Sequence, residues 1–287
     1  MPLRLGTKVF GDDELLVMAI VNRTRDSFYD GARTFELDAA VAAVDRAVAD
    51  GAAIVDIGGV RAGAGPEVDV EEEIRRTVDV VAAVRRRHSD VVLSVDTWRA
   101  EVGRAVAEAG ADLLNDAWGG YDPDLAQAAA EAGIGLVCTH AGGLAPRTDP
   151  DHPYYDDVTG DVVTTVVGLA ERAVSLGVAP ESILIDPGHD FGKTTAQSLR
   201  ITRELERLTA TGWPVLVALS RKDFIGETLG LPATDRLEGT LAATAVEAWL
   251  GARVFRAHDV VATRRVLDTV ASIRGDRPPA VARRGLG

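Results

Sequence analysis

The sequence predicts an α/β chain folded as a single-domain (β/α)8 TIM barrel, on three observations. Eight short apolar runs recur, amphipathic stretches separate them, and polar residues close almost every run. The runs occupy residues 16–22, 53–58, 91–97, 113–116, 135–140, 183–188, 214–220 and 253–259. Their nearly unbroken apolar character marks strands covered on both faces. Between them, Leu37, Val41, Val44 and Val48, and again Ile74, Val78, Val81 and Val84, repeat at helical spacing with charges on the opposite face. Strand and helix in alternation imply parallel pairing, which leaves a closed barrel or an open doubly wound sheet. Eight units favour closure. An open sheet would also advertise a Gly-rich phosphate turn after its first strand, where this chain reads NRTRDSF.

The 287 residues, 46% hydrophobic and 26% charged, suffice for one sizeable core. The 29 Gly and 12 Pro are spread between the periodic segments, so residues 1–287 are expected to form one domain. A net charge of −13 argues against a nucleic-acid partner, which draws on excess Lys and Arg. Cys138 is the single cysteine and the opening MPLRLGTKVF lacks the apolar core of a signal peptide, so a reducing, cytoplasmic setting is expected. Cys138 itself reads as a buried core thiol. The longest apolar runs, such as 215–219, fall far short of the roughly 20 residues that span a bilayer, so no membrane partner is expected.

The run ends carry Asn22, Asp56, Asp96, Asn115 with Asp116, His140, Asp186, Ser220 with Lys222, and Arg256 with His258. In a barrel these converge on the carboxyl rim, where the βα loops build sites. Helix capping explains an Asp or Asn there, but not Lys222, Arg256, His140 or His258. Asp96, Asp186, Asn115 and Lys222 together offer acceptors and donors to a flat heterocycle such as a pterin, because a carboxylate accepts two parallel hydrogen bonds and Lys donates to a ring carbonyl. Arg256 and His258 precede a helix beginning near Val260, a common phosphate position, and Asn22 across the rim suits a hydrated Mg2+ bridging phosphate oxygens. The competing reading pairs Arg256 with an acidic neighbour such as Asp259. For His140, a structural hydrogen bond competes with a ligand contact.

The segments IVNRTRDSFYDGA, DIGG, SVDTWRAEV, NDAWGG, DPGHDFGKT, SRKDFIG, RLEGTLAA and RAHDV, running in this order from Ile20 to Val260, resemble the signature segments of dihydropteroate synthase. The resemblance implies a transferase of folate biosynthesis. It would join 6-hydroxymethyl-7,8-dihydropterin pyrophosphate to 4-aminobenzoate, with Mg2+, by a dissociative route in which pyrophosphate leaves first. It places Asp96, Asn115, Asp186 and Lys222 on the pterin, and Asn22, Arg256 and His258 on the pyrophosphate, with Asn22 on its metal. Phe191 and Ser220 fall at the aminobenzoate and Asp30 at loop closure. Asp96, Lys222, Arg256 and His258 would act on the charge that separates in the transition state. The family's homodimers imply a homodimer here, for which Trp249 and Leu250 read equally as an exposed surface or as core.

The match is interrupted at two loops. After DIGG the family usually reads ESTRPGA, with Thr and Arg reaching substrate; this chain reads VRAGAGPEV, one residue shorter. The Thr is gone, Val60 replaces an acid, and Arg61 alone offers a guanidinium for the pyrophosphate. A loop of Ala62, Gly63, Ala64 and Gly65 is expected to cost more entropy to order. The following Glu71, Glu72 and Glu73 read as a charged helix start. In the first loop Arg23, Arg25 and Tyr29 replace Val, Pro and Ser. Thr139 and Ala141 stand where Met residues usually pack on the pterin, and His189 with Asp190 replace smaller or apolar residues. A working synthase is the leading expectation. The alternatives are a divergent homologue that binds a pterin or related ligand with little or no synthase activity, and a folate-using methyltransferase barrel that has no need of a phosphate clamp.

Overall fold

Side chains alternate along a strand, so residues i and i+2 face the same way, and that period decides what fills this barrel. The computed structural model describes residues 1–22, 37–63, 65–148 and 154–284. A hairpin of β1 (Leu3–Leu5) and β2 (Lys8–Phe10) precedes β3 (Leu16–Asn22), α1 (Leu37–Ala49), β4 (Ile54–Gly58), α2 (Val70–Arg87), β5 (Val92–Asp96) and α3 (Ala100–Glu108). Then follow β6 (Leu113–Asp116), α4 (Leu125–Ala132), β7 (Gly135–Thr139), α5 (Val158–Leu176), β8 (Ile183–Asp186), α6 (Thr195–Arg203) and α7 (Glu206–Thr209). The chain ends with β9 (Leu216–Ala218), α8 (Asp223–Leu229), α9 (Leu237–Trp249), β10 (Val254–Ala257) and α10 (Val260–Arg274).

Eight strands pair in the order β8-β7-β6-β5-β4-β3-β10-β9, every neighbour parallel. A parallel bridge between Ile185 and Val215 joins the two ends, with the Ile185 N–H donating to the Pro214 carbonyl at 3.0 Å. The expected barrel is therefore present, and each of the eight runs contains one of its strands. The runs overreach by a few residues because their polar ends leave the ladder to build the rim.

One cluster joins Leu16, Met18, Ile54, Val92, Leu113, Val137, Leu184, Leu216 and Val254, so all eight strands contribute to the barrel interior. The hairpin, to which the sequence analysis assigned no element, adds Leu3, Leu5 and Phe10 to the same cluster. The intervening residues, among them Val17, Val55, Leu93, Cys138 and Phe255, pack outward in the larger cluster shared with the helices. Burying each Val or Leu contributes about 1.5–3 kcal/mol, and these two layers set the barrel's shape. Cys138 is buried, and burial pushes its thiol well above the ordinary range, as expected for a core thiol.

Two residues further along the inward face, the apolar layer gives way to Asp56, Ser94, Asn115, Thr139, Asp186 and Arg256, with Asp96 one further step along β5. α2 begins as the acidic run predicts: the Asp69 carboxylate accepts from the Glu72 N–H at 2.7 Å, Glu71 to Glu73 fill the first turn and Arg85 to Arg87 the last.

Candidate ligand-binding site

Asp56 is the hub of the polar layer. It is fully buried on β4 and accepts from Arg256 Nε at 2.6 Å, Ser94 Oγ at 2.6 Å and Asn115 Nδ2 at 3.2 Å. Arg256 spans from Asp56 to Asp96, with Nη2 donating to the Asp96 carboxylate at 2.9 Å. The guanidinium thus ties β10 to β4 and β5, and the Asp56 carboxylate adds β6 through Asn115. Burial alone would lower the Arg256 pKa, but Asp56 and Asp96 hold it above its ordinary value. Burial pushes the Asp96 carboxyl up; Arg256 opposes the rise, whereas Asp56 and Glu73 add to it.

On the far side of the mouth, burial raises Asp186, and Lys222 counteracts the rise. Burial lowers the Lys222 ammonium, while Asp190 and Asp186 support it and Arg256 opposes it. Asp186, Lys222 and Arg256 are therefore electrostatic neighbours at the carboxyl ends of β8, β9 and β10. The Lys222 ammonium donates to the His189 carbonyl and lies 4.5 Å from the centre of the Phe191 ring. Phe191 meets Trp118 edge to face at 5.1 Å, and Trp118 meets Trp98 at 6.4 Å.

The cations expected to grip an anion are already engaged. Arg256 does not meet Asp259; it holds the two carboxylates above, and Asp259 pairs with Arg221 at 3.0 Å. His258 Nδ1 lies 3.0 Å from Ser220 Oγ. Burial, then Arg256 and Arg221, lower the His258 pKa to about 4, so the ring is neutral at physiological pH. Ser220 and His258, assigned to different substrates by the sequence, are hydrogen-bond partners. Asn22 ends β3 half-buried beside Gly58, whose missing Cβ would come within 2.9 Å of the Asn22 carboxamide oxygen. Among the described residues no group of three His, Cys, Asp or Glu side chains could hold a metal. Asp30, Arg23, Arg25 and Tyr29 lie outside the described residues.

The second loop is stitched down. Arg76 Nη1 donates to the Gly59 carbonyl at 3.0 Å, Arg99 Nη2 to Val68 at 2.8 Å, and Arg147 to Gly63 at 3.2 Å and Pro66 at 2.8 Å. Val60 is buried in a cluster with Trp98, Trp118 and Ala141, against which Phe191 packs. Beneath the loop, fully buried Glu73 accepts from Arg99 at 2.5 Å, which makes the acidic helix start structural. The Ala- and Gly-rich sequence predicts a loop costly to order; arginines from three other segments instead hold its described residues by their carbonyls. Arg61 lies half-buried on it, its guanidinium packed beside Gly63.

His140 is buried and turns its Nε2 to Asp161 at 2.8 Å, and burial holds its pKa down at about 4, the structural alternative for this residue. Thr139 Oγ1 is buried in the inner layer with no partner among the described residues. Sequence reasoning named Asp56 as a rim residue without a role and missed Ser94. The signal was present, since each stands two residues beyond an inward apolar residue, Ile54 and Val92.

The profile of the family described as pterin binding enzyme matches residues 18–258. A Mycobacterium leprae protein named inactive dihydropteroate synthase 2 is 56% identical over 278 residues, covering 96% of this chain and 96% of that protein. The dihydropteroate synthase of Clostridium beijerinckii is 37% identical over 267 residues, covering 92% of this chain and 96% of its own. The crystal structure of Yersinia pestis dihydropteroate synthase with a sulfonamide drug superposes with a TM-score of 0.90 at 35% identity, over 96% of this chain and 100% of that one.

Proposed function

Since the chain belongs to the pterin-binding enzyme family, as a divergent relative of dihydropteroate synthase, we propose that it binds a pterin or a closely related ligand in the barrel mouth with little or no synthase activity. Asp96, Asn115, Asp186 and Lys222 hold the heterocycle in this reading. Phe191 and Ser220 border the place of an aminobenzoate. Asn22, Arg61, Arg256 and His258 face the diphosphate of the pterin ligand.

The observation that carries the proposal is the second loop. Where synthases present Thr and Arg to substrate, this chain buries Val60 under Trp98 and Trp118, and Arg147, Arg99 and Arg76 occupy the loop's carbonyls. Transition-state stabilisation needs groups aimed at developing charge, and of this loop only Arg61 keeps one to offer. The anion side points the same way. Arg256 must give up a carboxylate to grip a phosphate bidentately, and His258 brings no charge.

No carboxylate or imidazole cluster among the described residues would hold a Mg2+ ion; Asn22 would offer it a neutral carboxamide oxygen, and the ion would supply positive charge against the ligand's diphosphate. A homodimer and a cytoplasmic location belong to the same proposal. No helix among the described residues is long and apolar enough to cross a membrane.

The test mixes purified protein with 6-hydroxymethyl-7,8-dihydropterin pyrophosphate, 4-aminobenzoate and Mg2+, following dihydropteroate and pyrophosphate, with calorimetry of the pterin pyrophosphate in parallel. Saturable binding without product is expected. The second reading, a working synthase, is favoured by the convergence of Asp96, Asn115, Asp186, Lys222, Arg256 and His258 on one mouth. Turnover in the ordinary enzyme range of about 1–1000 per second would establish it and overturn the proposal.

A further inference from the structure

Lys222 is fixed at both ends by a three-residue segment whose sequence departs from the family pattern. We propose that His189 and Asp190 are positioning residues, a clamp that sets the Lys222 ammonium relative to the Asp186 carboxylate. The part of Lys222 in ligand binding rests on the function proposed above; the clamp does not.

Asp190 has φ at +67°, in the left-handed region that favours glycine. Its carboxylate explains why a side chain is kept there. Asp190 Oδ2 accepts from the Asp223 N–H at 2.7 Å, and the Phe224 N–H lies 3.3 Å from the same carboxylate. These amides open α8, whose own N-cap residue, Lys222, makes no side-chain cap. Asp190 therefore caps the helix from a different loop and locks the backbone at Lys222. The other end of Lys222 is held by the same segment, through the His189 carbonyl and the Phe191 ring.

The segment is itself anchored. The His189 ring is fully buried, with Nε2 3.0 Å from Glu247 Oε1 on α9 and 3.1 Å from Thr202 Oγ1 on α6. It stacks on Phe224 at 5.4 Å, one residue beyond the first capped amide. Because Asp186 ends β8 and the segment begins three residues later, Asp186 and Lys222 belong to one braced unit. Their separation is held before any ligand arrives, which is how a site avoids ordering a long side chain on binding.

Lys8, Lys193 and Lys222 are the chain's three lysines, so the ammonium groups can be followed individually by NMR in lysine-15N-labelled protein, with Lys222→Arg giving the assignment. Lys193 donates to the carbonyls of His140, Gly188 and Phe191, the last within the clamp segment, so the internal control is amide exchange in β4 and β5, away from the clamp. Asp190→Gly relieves the backbone conformation while deleting the cap, so the fold is retained. Proton exchange at the Lys222 ammonium should accelerate about tenfold in this variant, a loss the size of a helix cap, with the amides of β4 and β5 unchanged and Asp190→Asn restoring slow exchange. Exchange within about twofold of the unaltered protein, or equal acceleration of the β4 and β5 amides, would overturn the clamp. Calorimetry with the pterin pyrophosphate then reads the consequence, expected as about fivefold weaker binding in Asp190→Gly. Absence of any heat with the unaltered protein would remove the proposed ligand and leave the exchange result standing.

Discussion

Replacing Asp56 with Ala tests whether the polar layer is one network, because this residue touches Arg256, Ser94 and Asn115 at once. Deleting one member of a buried ion pair costs about 3–5 kcal/mol. Arg256 keeps Asp96 at 2.9 Å, so the lower end applies. Ser94 and Asn115, fully or almost fully buried, each lose an acceptor, adding about 1 kcal/mol apiece before relaxation. These terms share partners and do not sum in full, which places the loss near 4 kcal/mol. For a chain of this size that corresponds to a fall of about 8–16 °C in Tm. Guanidinium titration at an unchanged m-value measures the loss, and Asp56→Asn, which preserves shape and one acceptor, should lose about half as much. A loss below about 1 kcal/mol for Asp56→Ala would refute the network, since Arg256 would then be satisfied elsewhere.

Lys222→Ala should weaken binding of the pterin pyrophosphate about ten- to hundredfold, the range for a hydrogen bond from a charged donor; unchanged affinity in calorimetry would mean that the site is misplaced. His140 and His258, both held down at about 4 by burial, should remain neutral through pH 5 in NMR titrations. Because their unfolded counterparts take up protons near 6.5, the unfolded state binds more protons between about 4 and 6.5, so each contributes stability that is full above this window and lost as pH falls through it. A midpoint near 6.5 for either ring would contradict the burial argument. Arg147→Ala should make the second loop cleavable by trypsin at Arg61 under native conditions, measured as a cleavage rate; an unchanged rate would show that the loop does not depend on this stitch. If Val246, Trp249 and Ile273, exposed on neighbouring late helices, form the dimer face, sedimentation should find a dimer that Trp249→Glu converts to monomer, and a monomeric unaltered protein would dismiss that face.

The barrel was legible because its signal is local. Runs such as 91–97 and 113–116 carry their own apolar pattern, and the chemistry at their ends, Asp96 and Asn115, rides on backbone fixed by the ladder. The same period-2 rule extended by one step would have assigned Asp56 and Ser94 to the interior. It would not have paired Asp56 with Arg256, which lies 200 residues away on a strand two places round the sheet. That contact follows from closure, and closure is not written in any one segment. The hairpin escaped for the opposite reason: three-residue strands are too short to show a period, so Leu3 and Leu5 become recognisable only as the residues that complete the interior cluster.

Loops yield least to this kind of reading, because their order depends on donors supplied from elsewhere. The composition of residues 60–68 argues for a floppy segment, yet Arg76 from a helix, Arg99 from a helix N-cap and Arg147 from a distant loop hold the described residues from Gly59 to Val68. The same asymmetry bears on function. Ligand-facing groups on strands persist as long as the barrel folds, whereas groups on loops can be lost without cost to the fold. A chain can therefore retain Asp96, Asn115 and Asp186 at its strand ends while its second loop becomes part of the wall. Residual pterin affinity with lost turnover is the combination that such a separation produces.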